Sequence, residues 1–238
     1  MKDKPTITIF TCSYNKPQYV ADAINSVLGQ TFGDFEYIIL ENSTDGLTKY
    51  VVNQIKDDRI KVIDVLFSED WRRKFYAESR LKNKYFPKAN GKYIMVLSDD
   101  DILDPRCFEE HLKNFKINNG SRANHHSYNM VYLESDLPGI EIGATEILRV
   151  SGNDKVRTDG GAVMFEKSLI DELSKPLFKS SWGNAHISDG LFVTKVALTT
   201  EIYPIDLYLH TKRITKISTH KFISKTDSGE FVKMRQKS

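Results

Sequence analysis

The stretch Ile94-Met-Val-Leu-Ser-Asp-Asp-Asp101 carries the densest chemistry of the chain. A short apolar run stops at three adjacent acids, Asp99, Asp100 and Asp101. The apolar part has the length and composition of a buried strand, and open α/β sheets bind ligands just beyond the carboxyl ends of such strands. Two carboxylates about 5 Å apart, at an effective dielectric near 20, repel by roughly 3 kcal/mol. A divalent cation relieves that repulsion, and Mg²⁺ or Mn²⁺ favours one or two carboxylates together with substrate phosphates. The same triplet also suits an acidic turn whose last Asp caps a helix.

Other residues hold chemistry with less definite spacing. Asp189 precedes an apolar helical run, where an Asp is an ordinary N-cap. Arg72, followed by Arg73 and Lys74, offers a planar fork that suits phosphate, or simply a basic helix face. Gly160-Gly161 is a tight turn or a place where a ligand approaches the backbone closely. Trp182, with Tyr203 and Tyr208, supplies aromatic faces that suit the apolar side of a sugar ring, or core packing. The two cysteines, Cys12 and Cys107, form neither a metal-binding nor a redox spacing, and no disulfide framework is implied. His125-His126 has no partner spacing that argues for a metal.

These residues need elements to position them. Residues 6–11 read as a first strand and Tyr14-Asn-Lys-Pro17 as a loop. Residues 18–29 carry Tyr19, Val20, Ala23, Ile24, Val27 and Leu28 at helical spacing, with Gly29 as C-cap. Strands follow at 35–40, 59–66 and 92–97, with helices at 47–56, 72–86 and 104–118. The last of these opens on Asp104-Pro105, an Asp cap with Pro at the first helical position. Strand-helix alternation over the first 120 residues predicts βαβ units and a mostly parallel central sheet flanked by helices. Beyond it a strand at 128–133, a short strand at 162–165 leading into a helix at 166–173, and a helix at 191–199 are expected.

The totals exclude several classes. With 238 residues and 40% hydrophobic composition the chain can pack a core, so disorder is confined to its ends. A net charge of +2 gives no global field for nucleic acid. Met1-Lys-Asp-Lys-Pro lacks a following apolar segment, so no signal peptide is expected, and no apolar run reaches bilayer-spanning length. The expected setting is the cytoplasm. Basic residues thicken after Lys212, which permits peripheral contact with the inner face of a membrane.

The chain resembles the family 2 glycosyltransferases of the GT-A fold, and among them the compact spore-coat-polysaccharide branch. The matching residues are Thr11-Cys-Ser-Tyr-Asn-Lys-Pro-Gln-Tyr-Val, then Ala23-Ile-Asn-Ser-Val-Leu-Gly-Gln-Thr-Phe-Gly-Asp-Phe-Glu-Tyr-Ile-Ile. Glu41-Asn-Ser-Thr-Asp-Gly follows, then Ala89-Asn-Gly-Lys-Tyr-Ile-Met-Val-Leu-Ser-Asp-Asp-Asp. The likeness is strong over residues 5–115 and weak afterwards. It implies a Rossmann-like α/β fold with a nucleotide-sugar-binding half at 1–119. An acceptor-side subregion carrying the catalytic base would occupy 120–224, with a polar basic tail at 225–238.

The resemblance also implies roles. Thr11, Cys12 and Tyr14 would lie in the loop that lines the nucleotide. Glu41 stands where the family places the carboxylate that receives the ring N–H of the base, in a loop one residue shorter than the usual Asp-Asp-Gly-Ser-Thr-Asp-Gly. Such an acceptor suits uracil or thymine N3–H. Arg72 would approach the diphosphate. Ser98 replaces the first Asp of the family's motif, so Asp99 would contact the ribose and Asp100 the metal. Asp101 would assist the metal through water or cap the next helix. Ile187-Ser-Asp-Gly-Leu-Phe192 resembles the segment that supplies the catalytic base, which makes Asp189 the candidate. Gly160, Gly161 and Trp182 would flank sugar and acceptor; a late His approaches the metal or diphosphate in some relatives, so His210 or His220 takes that place or is a surface or packing histidine.

The implied activity is an inverting, Mn²⁺- or Mg²⁺-dependent transfer of a sugar from a UDP- or dTDP-sugar to a hydroxyl of a glycan, lipid-linked or small-molecule acceptor. The alternative is a catalytically silent nucleotide-sugar or glycan-binding module of the same fold. A nucleotidyltransferase would need a Gly-rich phosphate loop after the first strand, and Thr11-Cys-Ser-Tyr-Asn-Lys-Pro has none.

Overall fold

Strand β1, Ile7–Ser13, is buried along nearly its whole length, as expected of a central strand covered on both faces. β2, Phe35–Glu41, and β4, Tyr93–Val96, flank it in parallel. β3, Ile60–Asp64, extends the sheet beyond β2, again in parallel. These facts come from a computed structural model, which describes residues 4–68, 71, 75–133, 147–150, 159–181 and 188–215.

Side-chain alternation sends each strand's residues to two cores. Ile7, Ile9, Tyr37, Ile39 and Met95 face one side, against Val20, Ala23, Ile24 and Val27 of helix α1 (Val20–Leu28) and Phe108 of helix α4 (Cys107–Ile117). Phe10, Ile38, Leu40, Ile94 and Val96 face the other side. There they meet Leu81 and Tyr85 of helix α3 (Ala77–Tyr85), Leu169 of helix α5 (Leu169–Glu172) and Phe192 of helix α6 (Ser188–Thr199). Helix α2, Leu47–Gln54, follows Gly46, whose φ of +67° is the left-handed conformation glycine tolerates. Asp45 caps it by accepting from Thr48 N–H at 2.9 Å.

The second half continues the same sheet with mixed pairing. Strand order is β3-β2-β1-β4-β8-β6-β9-β5, with β7 against β6. β8 (Val163–Glu166) is antiparallel to β4, and β6 (Ala123–Tyr132) is antiparallel to β8. β9 (Ile202–Ile214) is parallel to β6, while the short β5 (Ile102–Leu103) and β7 (Ile147–Val150) pair antiparallel with β9 and β6.

Several elements depart from the sequence expectation. β6 starts at Ala123, five residues before the expected 128. The helix expected from Asp104 is regular from Cys107; Asp104 leads into it as a cap, its Oδ1 accepting the Arg106 backbone N–H at 2.9 Å and its carbonyl the Cys107 N–H at 3.0 Å. The expected helix start at 72–74 and the tail 225–238 lie outside the described residues. β9 was not expected. Pro204 interrupts its pattern, yet Pro is tolerated there because β5 reaches β9 only at His210–Thr211, leaving the strand's other edge unpaired by a strand at Pro204.

Gly91 joins the turn before β4 to β1. A Cβ there would lie 2.4 Å from Thr8 N and 2.6 Å from Ile7 C, both backbone atoms. Gly91→Ala is therefore expected to lower stability by about 2–3 kcal/mol, read as a drop in the urea midpoint. Gly33→Ala, where a Cβ meets nothing within 4 Å, is the control and should change it little.

Candidate active site

The acids after β4 open into a polar cleft at the carboxyl ends of β1 and β4. This is the edge at which open α/β sheets bind ligands. Cys12, Ser98, Asp99, Asp100 and Asp101 line one side. Glu78, Asp159, Asp189 and Lys212 come from α3, the turn before β8, α6 and β9. The lining holds six carboxylates against three cationic side chains, Lys16, Lys212 and Arg213. The formal excess of negative charge favours a bound cation.

Lys16 sits at the centre of the acids. Its Nζ lies 2.8 Å from Asp99 Oδ1 and 2.8 Å from Asp100 Oδ2. Asp99 also accepts the Tyr14 backbone N–H at 2.8 Å. Burial pushes both carboxyls up and Lys16 pulls them back; with Asp101 and Asp99 adding repulsion, Asp100 is held at about 6. Burial opposes the charge of Lys16, but the two carboxylates outweigh it and hold the ammonium more basic than usual. The two carboxylates thus converge on one point already occupied by positive charge. That donor set fits a hard divalent cation.

Asp101 lines the cleft and is also tied to the sheet. It is almost fully buried, accepts His210 Nε2 at 3.0 Å and the Arg213 backbone N–H at 2.8 Å, and so ties the acid loop to β9. His210 is thereby placed directly behind an acid of the cleft. Asp99 and Asp100 remain the acids that point together.

Across the cleft stands a second charged group. Lys82, buried on α3, bonds Asp189 Oδ1 at 2.9 Å and Glu78 Oε1 at 2.6 Å, and Tyr76 donates its hydroxyl to Glu78. Lys82 and Glu78 are an i,i+4 pair on one helix face. Asp189 lies within the first turn of α6, and the structure shows its carboxylate held by Lys82. A Ser79–Ser188 hydroxyl contact at 2.9 Å pins the start of α6 to α3. Surrounding protein raises the Asp189 pKa, Lys82 lowers it, and Glu78 and Asp159 raise it again, leaving it above the ordinary carboxylate value. The side chain is still 44% exposed to the cleft, so it can meet a ligand.

Gly160 is needed by this acid. A Cβ at Gly160 would stand 3.0 Å from Asp189 Cγ. Gly161 donates its N–H to Asp159 Oδ1 at 2.8 Å. Asp159 also pairs with Lys212; burial alone would raise its pKa, but Lys212 and His210 hold it well below the usual range. The two glycines therefore arrange the acids beside the cleft.

The nucleotide residues divide. Thr11 is fully buried in the sheet, its hydroxyl 2.8 Å from Tyr37 OH and donating to Leu97 O at 2.9 Å. It supports the strand and does not reach the cleft. Cys12 does reach it; burial first, then Glu78, push its thiol pKa up. Asn15 locks the β1 loop to the β2 loop, accepting from Thr44 N–H at 2.8 Å with a φ of 50°. Glu41 is buried, accepts Ser43 N–H at 2.6 Å through Oε1, and among the described residues its buried Oε2 has no partner. An unpartnered buried acceptor is costly, and a ligand N–H would relieve it. Arg72, Arg73, Lys74, Trp182 and His220 lie outside the described residues.

Sequence reasoning left Lys16, Glu78, Lys82 and Asp159 without roles, and read Lys212 as part of a solvated basic stretch. The Glu78-x₃-Lys82 spacing was the available signal. The others are joined only by the fold.

Comparison with known proteins agrees with this architecture. Residues 8–173, well over half the chain, match the family described as "Glycosyl transferase family 2". An uncharacterised glycosyltransferase of Methanocaldococcus jannaschii is 34% identical over 120 residues, covering 49% of this chain and 39% of that protein. TarS residues 1–349 of S. aureus, solved in complex with UDP, superposes with a TM-score of 0.62 at 14% identity, covering 87% of this chain and 60% of that one. The mannosyltransferase PcManGT of Pyrobaculum calidifontis, solved with GDP-Man and Mn²⁺, gives 0.62 at 13% identity, covering all of this chain and 66% of that one. The chain thus spans 39% of the Methanocaldococcus relative's length and 60% and 66% of the two crystallised chains. By the extent of the family match, and with the mixed α/β sheet of the GT-A fold, the chain belongs to glycosyl transferase family 2.

Proposed function

We propose that this chain is an inverting hexosyltransferase that takes a sugar from a UDP- or dTDP-sugar to an acceptor hydroxyl, with a divalent cation held by Asp100. The observation that carries the reading is the placement of Asp189, with its raised pKa, in the same cleft as the converging Asp99–Asp100 pair. Inverting transfer needs this division: charge stabilisation at the departing diphosphate and a carboxylate on the opposite face of the sugar. The solved relatives bound to UDP, and to GDP-Man with Mn²⁺, support a nucleotide-sugar donor and a cation.

Each residue then has a task. Glu41 Oε2 accepts the ring N–H of the base, and Asp99, fixed by the Tyr14 N–H, accepts from the ribose. A cation at Asp100, Mn²⁺ or Mg²⁺, would supply Lewis-acid stabilisation of the leaving nucleoside diphosphate. Asp189 takes the acceptor hydroxyl proton as the new C1–O bond forms and the old one to phosphate breaks. Lys82 orients Asp189 and favours its ionised form. The half at 1–119 binds the donor, and 120–224 supplies the base and acceptor surface. The acceptor is a glycan, lipid-linked intermediate or small molecule reached from the cytoplasm. Among the described residues no helix is long and apolar enough to cross a membrane, and contact with a lipid-linked acceptor would be peripheral.

Lys16 favours a second reading, the catalytically silent module, because an ammonium already balances Asp99 and Asp100. Donor turnover separates the two. Wild type should turn over a UDP- or dTDP-sugar with Mn²⁺, and lose turnover with chelator. Asp100→Asn should lose at least about 100-fold. Equal turnover by Asp100→Asn would sink the metal assignment, and no turnover by wild type with any donor would favour the silent module.

A further inference from the structure

A second cluster of ligand-type side chains, none of which lines the cleft, lies between α4 and β6. Cys107 and His111 are four residues apart on α4, so they project from one helix face. His126 of β6 faces them. All three are buried. Cys107 Sγ, one nitrogen of His111 and one of His126 lie within 4.8 Å of one another. His111 Nε2 stands 2.8 Å from His126 Nδ1, and Cys107 Sγ 3.9 Å from the same nitrogen.

We propose that Cys107, His111 and His126 form a buried site for a thiophilic divalent cation, Zn²⁺, separate from the acidic cleft. Zinc with tetrahedral angles, bonded at about 2.3 Å to sulfur and about 2.0–2.1 Å to nitrogen, sets N···N near about 3.3 Å and S···N near about 3.6 Å. The present separations of 2.8 and 3.9 Å differ from these by about half an ångström or less. A thiolate with two imidazoles selects zinc over Mg²⁺ or Mn²⁺, which prefer oxygen. The fourth position falls to a water.

The proton inventory points the same way. His111 Nδ1 meets the side-chain oxygen of Asn124, whose amide nitrogen donates to the His111 carbonyl at 3.0 Å. His111 therefore carries its proton on Nδ1 and presents the Nε2 lone pair to the site. Asn124 acts as the outer partner that metal-bound histidines usually have. Without a cation, the His126 proton lies on Nδ1, donated to His111, and His126 Nε2 is left buried without a partner. His210 stands edge-on to that ring at 5.9 Å, and its Nδ1 is also unpartnered. A cation on His126 Nδ1 moves the ring proton to Nε2 and supplies a donor between two rings that have none. Binding releases one proton to solvent, that of the Cys107 thiol, as the S–Zn bond forms.

Elemental analysis tests this directly. The full chain is loaded with Zn²⁺ and dialysed against buffer containing Mg²⁺ and a weak chelator. Wild type should retain about one zinc per chain, Cys107→Ser and His126→Asn close to none. Asp100→Asn should retain it as wild type does, which keeps this outcome distinct from the fate of the cleft. Cobalt should give wild type a thiolate charge-transfer band, a readout that needs no variant to fold, and Cys107→Ser should lack it while keeping the wild-type circular dichroism. Zinc retention equal in wild type and Cys107→Ser, or loss only in Asp100→Asn, would overturn the proposal, as would wild type with neither zinc nor a thiolate band.

Discussion

Asp189→Asn is expected to lower sugar transfer by about 10³-fold, within the 10²–10⁴ range that general-base catalysis contributes. The amide keeps the size of the side chain and its place near Lys82, but cannot take a proton. Donor binding should survive, because Asp189 lies across the cleft from Asp99, Asp100 and the Glu41 loop. The expected pattern is a fall in kcat with the donor Kd changed by less than about twofold. Wild-type transfer should also show an acidic limb. The base works only when ionised, and its pKa is raised by burial, Glu78 and Asp159. The rate should therefore fall as pH drops through a value above the ordinary Asp range. Transfer that survives in Asp189→Asn would place the base elsewhere.

Lys82→Met is expected to cost about 3 kcal/mol of stability, the lower end for removing one partner of a buried ion pair. Its ammonium is 3% exposed and stands between Glu78 and Asp189, over the Phe178 ring at 5.1 Å. Burial opposes its charge, and the two carboxylates outweigh burial. Methionine fills the space and leaves two acids facing each other without the cation. The lower end applies because Glu78 and Asp189 are 28% and 44% exposed and keep some hydration. The same change should move the acidic limb of transfer upward, since the lowering influence on Asp189 is gone. Lys82→Met/Glu78→Gln should recover part of the stability, because it removes one of the two acids; coupling of about 0.5–3 kcal/mol is ordinary for such neighbours. Chemical denaturation and a pH–rate profile measure both effects. A stable Lys82→Met with an unmoved limb would contradict the role given to this lysine.

The first half of the fold was legible because its signals are local. β1, α1, β2 and β4 each carry their own periodicity within about ten residues, and the acids follow β4 directly. Asp99, Asp100 and Asp189 could be singled out because each ends or opens an element. What joins them could not be read. Lys16 meets Asp99 and Asp100 from 83 and 84 positions away, and Lys82 meets Asp189 from 107. β9 hid behind Pro204 and a polar composition, and its pairing with β6 is non-local. Its position brings His210 to Asp101 and Lys212 to Asp159, so a missed strand became missed site chemistry. Cys107-x₃-His111 was visible as a spacing, but its third member, His126, comes from a strand whose start was placed beyond that residue.

The most direct test of the nucleotide-sugar site is calorimetric titration of the full chain with UDP, dTDP and GDP, each with Mn²⁺ and with chelator. The account predicts binding of UDP or dTDP that needs Mn²⁺ and is weakened by Glu41→Gln and by Asp100→Asn. No binding of any nucleoside diphosphate, with or without Mn²⁺, would contradict it.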